Sequence, residues 1–155
     1  MEIKYIKGDA TAPEVEGNKI IAHICNDIGG WGRGFVLAIS NKWKAPEGEY
    51  RKWAASKDNF ELGKIQVVKC DEEIFVANMI GQEGIKKKGN KPPIRYEAVQ
   101  SALRELSKEA SALKASIHMP RIGCGLAGGK WEEIEPIIQQ ELIKKGVPVT
   151  VYDFE

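Results

Sequence analysis

Two glycine-rich segments constrain this chain more than any other feature of its sequence. The first is NDIGGWGRGF, residues 26 to 35, and the second is RIGCGLAGGK, residues 121 to 130; each contains four glycines. Each segment follows a short apolar run typical of a buried strand and precedes a helix-like run. Glycine adopts positive φ angles readily and lets a ligand approach the backbone closely. The pattern therefore predicts two binding loops, each between a strand and a helix.

Strand-like and helix-like runs alternate along the rest of the chain. Strands are predicted for residues 1–7, 19–25, 64–69, 74–80, 117–122 and 147–152. Helices are predicted from about Gly34, over 46–55, from Pro92 and Pro93 onward, and over 131–145 with an end at Gly146. This alternation predicts an α/β fold with three layers, a central mixed β-sheet flanked by helices.

The composition fits one globular domain with its own core. The chain has 155 residues, of which 43% are hydrophobic and 29% are charged. Lysine and arginine number 23 against 22 aspartate and glutamate residues, so the net charge is close to zero. Nucleic-acid and membrane-surface binding usually need a basic surplus, and both are disfavoured here. Because no apolar signal core or membrane-length run is evident, we expect a cytoplasmic protein.

The three cysteines, Cys25, Cys70 and Cys124, do not suggest a cross-linked or metal-bound fold. Their number is odd and their spacings are wide, unlike a disulfide framework or a CxxC zinc site. Reduced thiols in a reducing compartment are the simplest interpretation. We therefore expect no metal and no cofactor.

The position of the glycine-rich loops indicates the kind of ligand. In α/β folds, ligands bind beyond the carboxyl ends of the strands, where both loops are expected. A loop that opens a helix directs free N–H groups and a positive dipole end outward, which favours phosphate. Two such loops at one sheet edge suit a diphosphate, although two turn-rich connections remain the alternative. Neither loop has a GK[ST] ending, or GxGxxG spacing with an acidic residue about 20 positions later.

The segment KGDA, residues 7 to 10, follows the first predicted strand. A carboxylate at Asp9 would accept a hydrogen bond from an exocyclic amine such as that of adenine. The alternative is that Asp9 caps a turn or a helix.

Taken together, these segments resemble a macrodomain, the ADP-ribose-binding module, over essentially residues 1–155. The strings HICNDIGGWGRGFVLAIS, ANMIGQ and MPRIGCGLAGGKWE are similar to the branch that holds terminal ADP-ribose–protein glycohydrolases and their chromatin-remodeller relatives. Within it, they look like a bacterial group that removes ADP-ribose from acidic side chains. The resemblance implies a single macrodomain that hydrolyses ADP-ribosyl glutamate or aspartate, with ADP-ribose and ADP-ribosylated proteins as its partners.

The resemblance also implies a role for individual residues. Asp9 would bind the adenine amino group, with Ala10 beside it, and Asn26 would lie near the distal ribose. Tyr152 and Phe154 would flank adenine, or would simply pack at the sheet edge. The residues expected at the diphosphate are Gly30, Gly32, Gly34 and Phe35 in the first loop, and Ile122, Gly123, Cys124, Gly125 and Leu126 in the second.

The catalytic residues of the branch are not matched in this sequence. The branch has a lysine after the strand that corresponds to IFVANMI and an aspartate after GCGL, whereas these positions fall near Gly81 or Gln82 and at Ala127. Asn26, Asp27 and Gln82 are the remaining catalytic candidates. Asp27 would act as a general base if burial raised its pKa, and is otherwise a loop residue. Gln82 would orient a water molecule or a ribose hydroxyl.

Several other functions remain open on the sequence alone. The protein could bind ADP-ribose without catalysis, or hydrolyse a small derivative such as O-acetyl-ADP-ribose or ADP-ribose 1''-phosphate. A thiol among helix-opening N–H groups should have a lowered pKa, so Cys124 with His23 or His118 is a candidate nucleophile. The basic run at Lys86, Lys87 and Lys88 is expected to be a solvated face, and the lack of an aromatic platform disfavours a nucleic-acid site there.

Overall fold

A computed structural model, which describes residues 1–154, contains one six-stranded sheet. The strands are β1 Lys4–Lys7, β2 Lys19–Asn26, β3 Ile65–Lys69, β4 Ile74–Gln82, β5 Ser116–Met119 and β6 Val149–Asp153. Their order across the sheet is β1-β6-β5-β2-β4-β3. Neighbouring strands are parallel except for the antiparallel β3–β4 pair, so the sheet is mixed, as predicted.

Helices cover both faces of the sheet. They are α1 Phe35–Lys42, α2 Ala45–Ser56, α3 Tyr96–Leu113 and α4 Trp131–Glu141, followed by a 3₁₀ turn at Ile143–Lys145. Alternate residues of β2 enter different cores, as strand geometry requires. Ile21 packs with the apolar side chains of α1 and α2, whereas Ile20 packs with those of α3 and α4. The predicted three-layer α/β architecture is confirmed.

The prediction that a helix starts at Pro92 and Pro93 is wrong, because α3 starts at Tyr96. The backbone of the preceding segment is committed to other partners. Ile94 N–H donates to the Ala127 carbonyl at 3.0 Å, and Arg95 N–H donates to the Gly81 carbonyl at 2.9 Å. The segment 92–95 therefore bridges the end of β4 and the second glycine-rich loop.

Two other predicted elements end earlier than expected. The strand predicted for 117–122 stops at Met119, where Pro120 has no N–H to continue the ladder. The helix predicted for 131–145 is α4 followed by the 3₁₀ turn, and the chain leaves it through Gly146 at φ 80°. Within residues 1–154, no helix is both long enough and apolar enough to span a bilayer.

Candidate functional site

Three adjoining cavities form one cleft along the carboxyl edge of the parallel strands. The proximal cavity, beside Asp9 and Tyr152, has a volume of about 420 Å³. The central cavity, beside Gly34 and Gly123, has a volume of about 280 Å³. The distal cavity, beside Asn26, has a volume of about 400 Å³. Phe35 and Pro120 line both the proximal and the central cavity. Arg33, Gln82 and Leu126 line both the central and the distal cavity. The cleft is therefore continuous from end to end.

The proximal cavity collects the four residues predicted to surround adenine: Asp9, Ala10, Tyr152 and Phe154. The Tyr152 side chain is buried, and its hydroxyl lies 2.7 Å from His118 Nδ1. Phe154 is 86% exposed and has no such restraint. Tyr152 is thus a fixed wall of this cavity, while Phe154 offers an aromatic ring that a flat ligand would cover.

Asp9 fits both interpretations of the KGDA segment. Its Oδ1 accepts hydrogen bonds from the Thr11 backbone at 2.8 Å and the Thr11 hydroxyl at 2.7 Å, which closes a local turn. Within residues 1–154, Oδ2 accepts no hydrogen bond. Burial raises the pKa of Asp9, but the Thr11 bonds and the Lys42 charge outweigh it and hold the pKa below its ordinary value. An ionised oxygen is therefore free to accept a donor in the proximal cavity.

Both glycine-rich loops line the central cavity. Gly34, at φ 83°, is the N-cap of α1 and gives it no side-chain cap. Leu37 N–H donates to the Gly34 carbonyl at 3.1 Å, whereas the N–H groups of Phe35 and Val36, which line the cavity, have no acceptor among residues 1–154. Ile122, Gly123 and Leu126 line the cavity from the second loop, as does Gly125. Among the described residues, the N–H groups of these four have no hydrogen-bond acceptor. The predicted pair of backbone loops thus meets at one cavity suited to an anion.

The second loop does not present a helix N-terminus to the cleft, contrary to prediction. Helix α4 starts at Trp131, beyond the residues that line the cavity, and Lys130 N–H is bound by the Tyr96 hydroxyl at 3.0 Å. Cys124 does not line the central cavity either, and its N–H donates to the Arg121 carbonyl at 3.3 Å. Instead, four residues of the loop itself line the cavity, and their N–H groups have no hydrogen-bond acceptor among residues 1–154.

The expected low pKa of Cys124 is also wrong. Burial raises the pKa of this thiol, and the nearby charge of Arg121 only partly opposes the shift. The Sγ atom contacts the Ile122 carbonyl at 3.5 Å rather than a histidine. A Cys/His hydrolase is therefore not supported.

Both histidines are satisfied core residues. His23 Nε2 lies 2.6 Å from Asn78 Oδ1, and His118 Nε2 lies 2.8 Å from the Ser116 hydroxyl. Burial lowers the pKa of His23 to about 4, although the Asn78 hydrogen bond acts in the opposite direction. Burial, together with the charge of Lys19, lowers the pKa of His118 to about 4 as well. Both rings are neutral at physiological pH.

Asn26 lines the distal cavity, but its amide serves the first loop. Its Oδ1 accepts from the N–H groups of Ile28 and Gly30 at 3.1 and 2.9 Å. Its Nδ2 donates to the Gly30 carbonyl at 2.9 Å, and the Tyr50 hydroxyl lies 3.0 Å from Oδ1. Asn26 therefore stabilises the conformation of the first loop. Gly30 and Gly32 line the same distal cavity as Asn26.

Gln82 and Asp27 differ in their access to the cleft. Gln82 lines the central and distal cavities, and its Nε2 donates to the Gly84 carbonyl at 2.9 Å. Within the described chain its Oε1 has no partner, so that atom is available to a ligand or water. Asp27 lines none of the three cavities, and its Oδ1 accepts from Gly84 N–H at 2.8 Å. This hydrogen bond ties the first loop to the segment after β4, so the geometry does not support a general base at Asp27.

Two cations at the distal cavity were not among the predicted site residues. Arg33 lies between two glycines of the first loop, and Lys86 belongs to the basic run that was expected to be solvated. Both side chains are exposed, yet both line the cavity. Among residues 1–154, no aspartate or glutamate lines it. A charge enclosed by two loop glycines, as in GRG, is the sequence signal that could have identified Arg33.

Glycines of the second loop serve two purposes. A Cβ atom on Gly129 would lie 2.5 Å from the Gly123 carbonyl oxygen, and one on Gly128 would lie 2.7 Å from Pro92 Cβ. These glycines permit close packing on segment 92–95. In contrast, a Cβ on Gly32 or Gly125 would meet no atom within 4 Å. At Gly32 and Gly125, glycine is therefore not required to avoid a clash, and it leaves the space beside the backbone open.

Two solved bacterial structures share this architecture over nearly the whole chain. A Bacteroides thetaiotaomicron protein superimposes with a TM-score of 0.97 at 62% identity, covering 99% of this chain and 98% of its own. A macrodomain protein from Streptomyces coelicolor superimposes with a TM-score of 0.89 at 52% identity, covering 98% of this chain and 99% of its own.

Curated relatives also align along most of the chain, although no family model matches it. Chromodomain-helicase-DNA-binding protein 1-like from Danio rerio is 31% identical over 97% of this chain, which spans only 15% of that protein's length. ADP-ribose 1''-phosphate phosphatase from Candida albicans is 28% identical, over 89% of this chain and 92% of its own length. Human ADP-ribose glycohydrolase OARD1 is 27% identical, over 97% of this chain and 90% of its own length.

These similarities agree with the motifs from which the fold was predicted. The two glycine-rich loops, the KGDA turn and the C-terminal end of β6 all line the cleft at the carboxyl edge of the parallel strands. The match to the Streptomyces coelicolor protein covers nearly all of both chains at high identity. The chain belongs to the macrodomain family.

Proposed function

We propose that residues 1–155 form a single macrodomain that binds ADP-ribose along the cleft. Adenine occupies the proximal cavity against Tyr152 and Phe154, and the diphosphate occupies the central cavity. The distal ribose lies in the distal cavity beside Gln82. The observation that carries the proposal is the pair of glycine-rich loops whose open amides line one cavity. Names of relatives that mention ADP-ribose, such as the human glycohydrolase, support the same ligand.

We further propose that the protein hydrolyses ADP-ribosyl esters of glutamate and aspartate side chains in modified proteins. In this reaction, the bond between the anomeric carbon and the carboxylate oxygen breaks, and the carboxylate leaves with the electron pair. A water oxygen bonds to the anomeric carbon, and the water releases a proton to solvent. Arg33 and Lys86 support this substrate class, since two cations with no facing carboxylate among the described residues stabilise a leaving carboxylate.

Gln82 is the residue best placed to orient the attacking water. Its Oε1 has no partner in the described chain, while its Nε2 is fixed by the Gly84 carbonyl. An amide oxygen accepts a hydrogen bond from water but does not take its proton, so the activation is modest. A slow hydrolase is expected, with the substrate's own phosphate oxygens available as the second acceptor. Asn26 contributes indirectly by holding the shape of the first loop.

The test is incubation of the protein with substrates modified on glutamate and, in parallel, on serine. Release of free ADP-ribose from the glutamate-modified protein, with little release from the serine-modified one, is the expected result. Tight binding of ADP-ribose without release would retain the ligand and overturn the hydrolysis, leaving a reader module. No binding of ADP-ribose would overturn both proposals.

A second candidate substrate is ADP-ribose 1''-phosphate. The cations at the distal cavity would stabilise a phosphate as well as a carboxylate, and the Candida albicans relative carries the name of a phosphatase for this compound. A comparison of kcat/KM for release of inorganic phosphate and release of glutamate decides between them. We expect the glutamyl ester to be the better substrate, because its carboxylate leaves without an acid or a metal to assist it.

A further inference from the structure

An exposed rim borders the mouth of the distal cavity. We define this distal rim as Ile28, Ile85, Lys87 and Lys88. Ile28 is 61% exposed and Ile85 is 55% exposed, although both are large apolar residues. The hydrogen bond from Gly84 N–H to Asp27 Oδ1 joins the two loops that carry the isoleucines. Ile85 also lines the distal cavity, so the rim and the cavity are contiguous.

The charge around the rim is predominantly positive. Glu83 is already paired with Arg95 at 3.0 Å and with Lys88 at 3.3 Å. Asp27 is engaged with the Gly84 backbone. Lys86 and Lys87 therefore add positive charge that no carboxylate of the described residues neutralises within ion-pair distance. The surface combines aliphatic contact area with an excess of cations.

A modified side chain gives this rim a specific partner. If the distal ribose occupies the distal cavity, the side chain attached to its anomeric carbon leaves through the mouth beside Ile85 and Lys86. The polypeptide that carries that side chain must then lie over the rim. We propose that the distal rim binds the polypeptide segment around the modified residue, and that it favours acidic residues flanking that position. This inference rests on the proposed function.

The same basic residues do not form a convincing nucleic-acid surface. Single-stranded nucleic acids bind through aromatic side chains on which the bases stack, together with a basic groove. The distal rim offers two isoleucines and no aromatic residue, and nearby Trp31 is buried. Aliphatic side chains are suited instead to aliphatic groups of a polypeptide.

The experiment compares hydrolysis of ADP-ribosyl-glutamate peptides that have acidic, neutral or basic flanking residues. The wild-type protein should show a kcat/KM about tenfold higher for the acidic than for the basic peptide at low ionic strength, as electrostatic steering provides. The ratio should approach one at about 0.5 M salt, where the screening length is only a few ångströms. Equal values for the three peptides at low salt would overturn the proposal.

Charge reversal locates the preference on the surface. The variant Lys87→Glu should reduce or lose the preference, while the affinity for free ADP-ribose stays unchanged because this residue does not line the cleft. The matched control is Lys144→Glu, in the 3₁₀ turn that precedes β6, with the same change in net charge. An equal loss in the control variant would show that net charge, rather than the rim, sets the preference.

The apolar part of the rim is tested by Ile28→Ser. We expect a several-fold lower kcat/KM for every peptide, with the charge preference and the affinity for free ADP-ribose retained. Unchanged activity on all peptides would show that Ile28 does not contact the bound polypeptide. A wild-type protein that does not bind ADP-ribose would refute the proposed function, whereas binding without any dependence on flanking sequence would refute only the distal rim. Tight, Lys87- and Lys88-dependent binding of single-stranded DNA would also overturn it.

Discussion

Asp9 has two carboxylate oxygens in different surroundings, and this difference can be tested. Oδ1 holds the Thr11 turn, while Oδ2 is free to accept the adenine amino group. Asp9→Asn keeps an acceptor for the turn and replaces the free acceptor by an NH₂ donor. We expect calorimetry to show that ADP-ribose affinity falls at least about tenfold in both Asp9→Asn and Asp9→Ala, a loss of about 1.4 kcal/mol. An Asn variant with wild-type affinity would exclude Asp9 as the adenine acceptor.

Gly125 and Gly129 should respond differently to substitution, since only one of them has room for a side chain. Gly125→Val places its methyl groups in the open space of the central cavity, so binding should be lost while the melting temperature is retained. Gly129→Ala puts a Cβ against the Gly123 carbonyl and should destabilise the fold by about 1–3 kcal/mol. Thermal unfolding and calorimetry on both variants check the contrast. Binding by a folded Gly125→Val protein would contradict the assignment of the second loop.

At the residue scale, the sequence predicts which residues line the cleft better than it predicts what their side chains do. Asp9 and Gln82 are found there because Asp9 follows β1 and Gln82 ends β4, and the carboxyl ends of these two strands share one edge. The alternative of a reactive thiol at Cys124 is not supported, because burial raises the pKa of the thiol and a motif does not reveal how far a turn buries its side chain. The internal hydrogen bonds of Asn26 depend on loop coordinates that no spacing rule provides.

Segment 92–95 is the element that connects the end of β4 to the second glycine-rich loop. The Arg95 guanidinium donates to the carbonyls of Pro92, Pro93 and Ile94 at 2.6, 3.0 and 2.9 Å, and it also pairs with Glu83. The Ile94 side chain packs against Gly123 of the second loop, where a Cβ atom on Gly123 would lie only 2.7 Å from Ile94 Cδ1. Since only 17% of its side chain is exposed, Arg95 holds segment 92–95, and through Ile94 the second glycine-rich loop, beside the end of β4.

We expect Arg95→Ala to lower the free energy of unfolding by about 1–3 kcal/mol, because the hydrogen bonds that it makes are partly buried. ADP-ribose affinity should fall as well, since the second loop loses its support. Lys108→Ala is the control: Lys108 pairs with Glu105 on an exposed helix face, and its loss should cost less than about 0.5 kcal/mol. Denaturant unfolding measures both variants. An Arg95→Ala protein as stable as the control would show that the contacts of Arg95 with segment 92–95 and Glu83 do not stabilise the fold.

At the element scale, the strands and helices with strong periodicity were predicted almost to their ends. The errors fall where tertiary contacts decide the outcome. Two prolines suggested the start of a helix, but carbonyls of Gly81 and Ala127 bind the backbone of segment 92–95 and delay α3 to Tyr96. The apolar Ile122 favours a strand that continues to residue 122, whereas β5 ends at Met119, directly before Pro120. The sequence contains the residues for these contacts but not the distances.

The whole molecule should lose stability in mildly acidic solution, because it buries two neutral histidines. His23 and His118 have pKa values near 4 in the fold and 6.5 when unfolded, so the unfolded state binds more protons between these values. The free energy of unfolding therefore falls as the pH drops from about 6.5 toward 4, by up to about 1.4 kcal/mol per pH unit for each histidine.

Denaturant unfolding at several pH values between 7 and 4.5 checks this dependence. Carboxylates with lowered pKa values, such as Glu141 and Asp153, start to lose their contribution only as the pH approaches their ordinary values of 4.5 and 3.8. The histidines therefore dominate the upper part of this pH window. His118→Gln should reduce the slope in this window, because one of the two proton-binding groups is removed. A wild-type stability that is constant from pH 7 to 4.5 would mean that the histidines are not buried as described.

The account as a whole depends on a diphosphate held by backbone amides from two loops. A crystal structure of the protein with ADP-ribose tests this most directly. We expect the diphosphate oxygens within hydrogen-bond distance of N–H groups in both the Gly32–Phe35 and Ile122–Leu126 stretches, with adenine beside Asp9. A bound ADP-ribose that lies elsewhere, or whose diphosphate contacts neither loop, would contradict the account.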